Sequence, residues 1–257
     1  MKMTQRFGLV PALFLAISSA QAAKPYPAPI QVLESEGARI LGEFDAPGGL
    51  KGYAAQFRGD VLGVYLTPDG KHAIVGTLID EKGEPAAQAQ LQKLVEAAPS
   101  PVDWEALSQS AWVAEGDKNA KQIVYAFMDP NCPYCALFWQ KAQPLLKQKG
   151  VQLRHIMVGV LTPTSMAISA KILSAADPAK ALAEHEQAEA QGQKGLSAEG
   201  NIPDDAMQKV IANSQLMQDS QIFGTPAIVY KDKAGELKVV QGMPNETLMK
   251  EIFSVTR

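Results

Sequence analysis

Cys132 and Cys135 are the only cysteines in the 257-residue chain, and they stand two residues apart in Cys132-Pro133-Tyr134-Cys135. That spacing suits three chemistries: a structural disulfide, metal or haem attachment, and reversible dithiol exchange. A disulfide across two intervening residues closes a very small loop and constrains the unfolded chain little. Zinc needs about four ligands, and His72, His155 and His185 are too scattered to complete a set. Covalent haem would need a His directly after the second Cys, where Ala136 stands. No metal and no cofactor is therefore expected, and dithiol exchange with Cys132 and Cys135 as the catalytic pair is the favoured chemistry.

Exchange requires a thiolate, and the flanking elements would supply one. Ile123–Phe127 reads as a strand suited to burial on both faces, and a helical stretch runs from the cysteines to about Lys147. Cys132 then lies at a helix N-terminus, where unpaired N–H groups and the helix dipole stabilise an anion. Cys135, one turn on and less exposed, is placed to attack a mixed disulfide at Cys132 and release the partner. Pro133 fits the first turn, where a missing N–H costs nothing. A second feature, Thr225-Pro226, opens a strand about 90 residues after the cysteines. Proline cannot donate to a ladder, so it marks an edge or a bend, and a cis bond is one way to make that bend.

The other elements divide the chain. Val151–Val160 reads as a strand, 163–220 as a helical block rich in Ala, Gln and Glu, Pro226–Tyr230 and Glu236–Val240 as a hairpin, and Asn245–Val255 as a helix. Upstream, Val61–Leu66 and His72–Ile79 read as strands joined by the turn Thr67-Pro68-Asp69-Gly70. Ala86–Leu107 consists of strong helix formers broken by Pro99 and Pro101. The expected organisation is a signal peptide over 1–23, an α+β unit over 24–86, a helical linker over 87–118, and a second α+β unit over 119–257.

The signal peptide rests on Lys2 and Arg6, the apolar run Phe7–Ile17, and the small residues Ala20-Gln21-Ala22. The run is about half the roughly 20 residues that a membrane span needs. The mature chain is thus expected to be exported and soluble, in a compartment where cysteines can be oxidised. The 24 basic and 27 acidic residues leave no basic excess for neutralising phosphates, so nucleic acid is excluded as a first partner. His72, His155 and His185 are expected to be structural or solvated, and Phe138 and Trp139 to be core rather than a substrate surface.

Several segments together resemble the DsbC/DsbG family of periplasmic thiol:disulfide interchange proteins. Phe44-Asp45-Ala46-Pro47-Gly48-Gly49-Leu50-Lys51-Gly52-Tyr53 and Tyr65-Leu66-Thr67-Pro68-Asp69-Gly70-Lys71-His72-Ala73-Ile74 are similar to the family's N-terminal domain. Asp129-Pro130-Asn131-Cys132-Pro133-Tyr134-Cys135, Phe138-Trp139-Gln140, Val158-Gly159-Val160, Asp177-Pro178-Ala179-Lys180 and Thr225-Pro226-Ala227-Ile228 are similar to its catalytic domain. The Pro-Tyr pair between the cysteines favours the DsbG side, while Asn131 and Ala136 depart slightly from the usual pattern.

The resemblance implies an α+β protein with a cystatin-like N-terminal dimerisation domain, a helical linker, and a thioredoxin-like domain carrying a helical insertion. It implies that Thr225 and a cis Pro226 border the cysteines and that they, with Pro133 and Tyr134, tune the thiolate or contact substrate. A periplasmic homodimer is implied as well, acting on exported proteins with sulfenylated or misoxidised cysteines and kept reduced by a membrane reductant of DsbD type. The alternatives are an isomerase of scrambled disulfides like DsbC, and a chaperone in which the cysteines are a staple.

Overall fold

The computed structural model describes residues 26–254. The expected signal peptide over 1–23 lies outside the described residues. Helix α1 (Ala28–Ser35) opens the described chain, with Ile30 fully buried against Tyr53, Ala55, Val64 and Leu66. Four antiparallel strands follow, β1 (Arg39–Ala46), β2 (Leu50–Phe57), β3 (Asp60–Leu66) and β4 (Ala73–Val75), paired in chain order as one sheet. The strand expected over His72–Ile79 is shorter than the sequence suggests. Only Ala73, Ile74 and Val75 pair with Leu66, Tyr65 and Val64. Beyond them Gly76 faces Gly63 through a single hydrogen bond, and two glycines offer no side chains to extend a ladder.

Helices α2 (Gln88–Ala97) and α3 (Trp104–Gln109) flank the expected break at Pro99 and Pro101, and Asp103 caps α3 by accepting from the Glu105 N–H. The helical segment expected over 87–118 does not stay helical. Trp112–Gly116 forms β5, an edge strand of the second sheet, antiparallel to β7 (Val151–Met157). Val113 carries the reason: it is buried in the core that holds both cysteines, an environment a surface connector does not provide.

The second sheet has the order β5-β7-β6-β8-β9, with β6 (Gln122–Met128) at its centre, β8 over Ala227–Lys231 and β9 over Leu237–Gln241. β6 runs parallel to β7 and antiparallel to β8. Its residues divide by parity between two cores. Val124, Ala126 and Met128 join the cluster that holds both cysteines, while Tyr125 and Phe127 face Val102, Leu107, Met217 and Ile222. Burial on both faces is why the strand reads as a continuous apolar run.

Helix α4 (Pro133–Leu146) lies on the cysteine side of the sheet. It buries Cys135, Phe138, Trp139, Ala142 and Leu146, spaced three or four apart as one helix face requires. Between β7 and β8 come α5 (Ser165–Ser174), α6 (Pro178–Ala190) and α7 (Asp204–Asp219), the expected helical block. Asp177 caps α6 through the Lys180 N–H. Leu182 of α6 packs into the cysteine-side core with Ile168 and Ile172 of α5. The described chain closes with α8 (Glu246–Ile252), capped by Asn245, and Phe253 stacks near Phe138 with ring centroids 6.2 Å apart. Among the described residues no helix is long and apolar enough to cross a membrane.

Candidate active site

Strand β6 ends at Met128, and the next seven residues place two thiols at the head of α4. Cys132 is the N-cap in extended conformation, and Pro133 occupies the first helical position. Pro133 has no N–H, so the donors that favour an anion at Cys132 are the Tyr134 and Cys135 N–H groups, the latter also bonded to the Cys132 carbonyl at 2.9 Å. Both cysteines are unbonded and nearly or fully buried, whereas Tyr134 is 62% exposed and stands out from the surface. Leu137 is exposed as well, while Phe138 and Trp139 are buried, as expected of core residues.

The loop from β8's start comes over the first cysteine. Thr225–Pro226 is a cis peptide, and Cys132 Sγ lies 3.2 Å from the Thr225 carbonyl oxygen, to which it donates only when protonated. The structure thus brings together Cys132, Pro133, Tyr134 and Cys135 at the head of α4 with Thr225 and Pro226 from 93 residues away. Thr225 Oγ1 is buried with no protein partner, on the same loop.

The two thiols differ in acidity. Donation from the Cys135 thiol, joined by the Cys135 and Tyr134 N–H groups, outweighs burial and brings Cys132 down to about 6. At neutral pH it is mostly thiolate. Cys135 goes the other way. Burial first, and then the neighbouring Cys132, push it well above the ordinary thiol value. The pair therefore consists of one acidic thiol and, behind it, one held protonated.

Two side chains hold this loop in place, Asp129 and His185, the latter in the structural role expected of it. Asp129, fully buried, accepts from the Asn131 N–H at 2.9 Å, the Ser165 hydroxyl at 2.7 Å, and the Val160 and Leu161 N–H groups at 2.8 and 3.0 Å. It ties the cysteine loop to the segment after β7 and to the start of α5. His185 of α6 donates Nε2–H to the Pro130 carbonyl at 2.7 Å and accepts from the Leu196 N–H at Nδ1. Gly195 is needed here, since a Cβ at that position would run into the His185 ring.

Beneath α4, the Glu115 carboxylate of β5 accepts from the Trp139 indole at 3.0 Å and pairs with His155 Nε2 at 2.7 Å. Burial alone would raise Glu115, but donation from His155, Trp139 and Gln143 prevails and holds it below the ordinary carboxylate value. The signal for Asp129 was available in its spacing, because an Asp two residues before a backbone N–H at a strand end is an Asx turn. Glu115, His155 and His185 had no such local signal, as their partners lie far off in the chain. Among the described residues no cluster of His, Cys, Asp or Glu is arranged to hold a metal.

The comparisons agree with this geometry. Residues 113–255 match the thioredoxin-like domain family. The thiol:disulfide interchange protein DsbG of Pseudomonas aeruginosa is 44% identical over 91% of this chain and 91% of its own length. That of Escherichia coli K12 is 40% identical over 94% and 97%. A periplasmic thioredoxin-like protein of Salmonella enterica serovar Typhimurium shares the fold, covering 58% of this chain and 91% of its own at 20% identity and a TM-score of 0.50. With relatives this similar along nearly the whole chain, and a dithiol at a helix head under a cis-proline loop, the chain belongs to the DsbG family of thiol:disulfide interchange proteins and is a thiol–disulfide oxidoreductase.

Proposed function

We propose that this chain works in the periplasm as a dithiol reductase and disulfide isomerase of exported proteins, with Cys132 as nucleophile and Cys135 as resolving thiol. The observation that carries the reading is the unequal pair at the head of α4: a thiol near 6 that is bonded to the cis-proline loop, and a fully buried thiol held protonated behind it. Attack by the Cys132 thiolate on a client disulfide gives a mixed disulfide and expels a client thiolate. The same attack on a sulfenic acid expels hydroxide, which takes up a proton and leaves as water. Cys135 then attacks Cys132 Sγ, its proton passes to the departing client sulfur as the bond to the client breaks, and the client leaves as a thiol. Return of Cys135 to the reduced state needs an outside dithiol, for which a membrane reductant of DsbD type is the proposed source.

Thr225, Pro226, Pro133 and Tyr134 are assigned to client contact and thiolate tuning. An extended client segment laid along the cis-proline loop would meet backbone groups beside Cys132, and the exposed Tyr134 ring offers an apolar surface next to the attacked sulfur. For the N-terminal sheet the proposed role is dimerisation. β4 is a sheet edge, and Ile74 and Val75 on it, with Val32 of α1 and Ile79 beyond, are exposed apolar residues. An edge of that kind pairs readily with a second copy. On this reading the folded unit beginning at β5 carries the chemistry, and the residues before it carry assembly.

The test is mixed-disulfide trapping on exported proteins. Cys135→Ser is expected to accumulate client adducts through Cys132, and Cys132→Ser to accumulate almost none. Equal trapping by the two variants would overturn the assignment of roles. Client class is settled by a paired assay on the reduced protein: reduction of a sulfenylated folded protein supports the sulfenic-acid reading. Efficient refolding of a scrambled multi-disulfide protein without it would assign the chain to isomerisation instead. Full activity of the Cys132→Ser variant in suppressing aggregation, with no redox turnover in the native protein, would favour the chaperone alternative.

A further inference from the structure

Glu186 is a buried ionisable side chain beside the cysteines that thiol exchange as described leaves unused. It is 1% exposed on α6, and neither carboxylate oxygen has a hydrogen-bond partner. It lies on the face of α6 turned toward α4. Leu182, one turn earlier, packs in the same core as Cys132 and Cys135, and His185, the preceding residue, holds the Pro130 carbonyl.

The charged groups around Glu186 all oppose its ionisation. They are Cys132 at the head of α4, Asp129 in the loop before it, Glu115 on β5 and Glu189 on α6 itself. His155, paired with Glu115, faces the same layer, since it shares one face of β7 with Leu153 and Met157 of the cysteine-side core, and its Nδ1 is buried without a partner. Burial foremost, and the Cys132 thiolate next, keep Glu186 well above the ordinary carboxylate value. An unpaired buried carboxylate is costly, whereas a protonated carboxyl at the same place is not.

The proton count of the reaction gives this group a use. Reducing a client disulfide to two thiols, or a sulfenic acid to a thiol and water, consumes two electrons and two protons. The reduced pair has two electrons but only one thiol proton, on Cys135, because Cys132 is a thiolate. We propose that Glu186 stores, in the reduced protein, the proton that Cys132 has given up, and releases it when Cys132 and Cys135 join in a disulfide. Forming that bond removes the negative charge at Cys132, which is the neighbour whose charge changes during the reaction, so ionisation of Glu186 becomes easier at that step. Reduced protein (thiolate, thiol, carboxyl) then becomes oxidised protein (disulfide, carboxylate), and two electrons and two protons leave together. Glu186 acts through the charge of Cys132 and is a positioning residue for the proton, without touching the client.

This inference rests on the reading of the cysteines as a redox pair, and the experiment separates the two. The reduced full-length protein is oxidised with ferricyanide, which accepts electrons and no protons, in weak buffer at about pH 7.5, above the Cys132 value and below that of an ordinary thiol. Ferricyanide consumption counts electrons, and an indicator dye counts protons. Two protons per two electrons are expected from the native protein, and one from Glu186→Gln. The infrared difference spectrum should lose a protonated carboxyl band on oxidation in the native protein and show no such change in the variant. One proton per two electrons from the native protein overturns the inference even if the variant fails to fold. Two protons from both proteins overturn it as well. Failure of the native protein to give up electrons would instead overturn the redox reading of the cysteines.

Discussion

The acidity of Cys132 depends more on its partner thiol than on any other single group. Cys135→Ala removes the leading donor to the thiolate, so the ultraviolet absorbance of the thiolate, with its midpoint near 6 in the native protein, should titrate roughly one unit higher in the variant. An unchanged midpoint would mean that the helix end alone sets it. The same shift has a stability consequence whose sign can be worked out. A thiol whose folded value, about 6, lies below its ordinary value of 9.0 stabilises the folded state fully above 9 and loses that contribution as pH falls through 6. Three units correspond to about 4 kcal/mol, of which about 1.4 kcal/mol is present at pH 7. Urea unfolding of the reduced native protein against reduced Cys132→Ser should therefore show a stability difference that widens from pH 6 to 9.

Between elements, the cysteine loop is held from behind by groups that do no chemistry themselves. Asp129 satisfies four donors from three segments in a fully buried place. Asp129→Ala should cost about 2–4 kcal/mol, measured by urea unfolding, because buried donors lose their acceptor. It should also move the Cys132 midpoint, since Asn131 and the head of α4 are freed. A loss of stability with no change in midpoint would make Asp129 a structural residue only. Leu182 tests the other support, α6 against α4. Leu182→Ala should cost about 2–5 kcal/mol through the cavity it leaves in the core shared with the cysteines. The helical block is in this sense part of the site, even though none of its residues is proposed to touch a client.

For the molecule as a whole, assembly and chemistry are proposed to sit on different sheets, and that division is open to a direct test. Ile74→Lys with Val75→Lys places two charges on the exposed β4 edge, where strand pairing with a second copy would have to desolvate them. Light scattering is expected to give the mass of a dimer for the native chain and of a monomer for the double variant, with Cys132 still titrating near 6. A monomeric native protein would dismiss the dimer proposal and leave the chemistry untouched. Loss of the low Cys132 value in the double variant would mean that the two sheets are coupled.

The cysteine pair, the helix that follows it and the central strand before it were legible in the sequence because each is a local pattern. Two cysteines with two residues between them, a proline at a first helical turn and a run buried on both faces of β6 need only neighbouring residues to be recognised. The helical block and the α8 cap at Asn245 were readable for the same reason. β5 was not, because Trp112–Gly116 becomes a strand only by lying against β7, some 40 residues on. The short reach of β4 likewise depended on which glycine stood across from Gly76. Tertiary structure alone decided the rest of the site: that the Thr225 carbonyl lies over Cys132, that Glu115 finds His155 and Trp139, and that Glu186 is left without a partner beside a thiolate. Burial and long-range pairing set those groups' charges, and neither is a property of the residues that stand next to them in the chain.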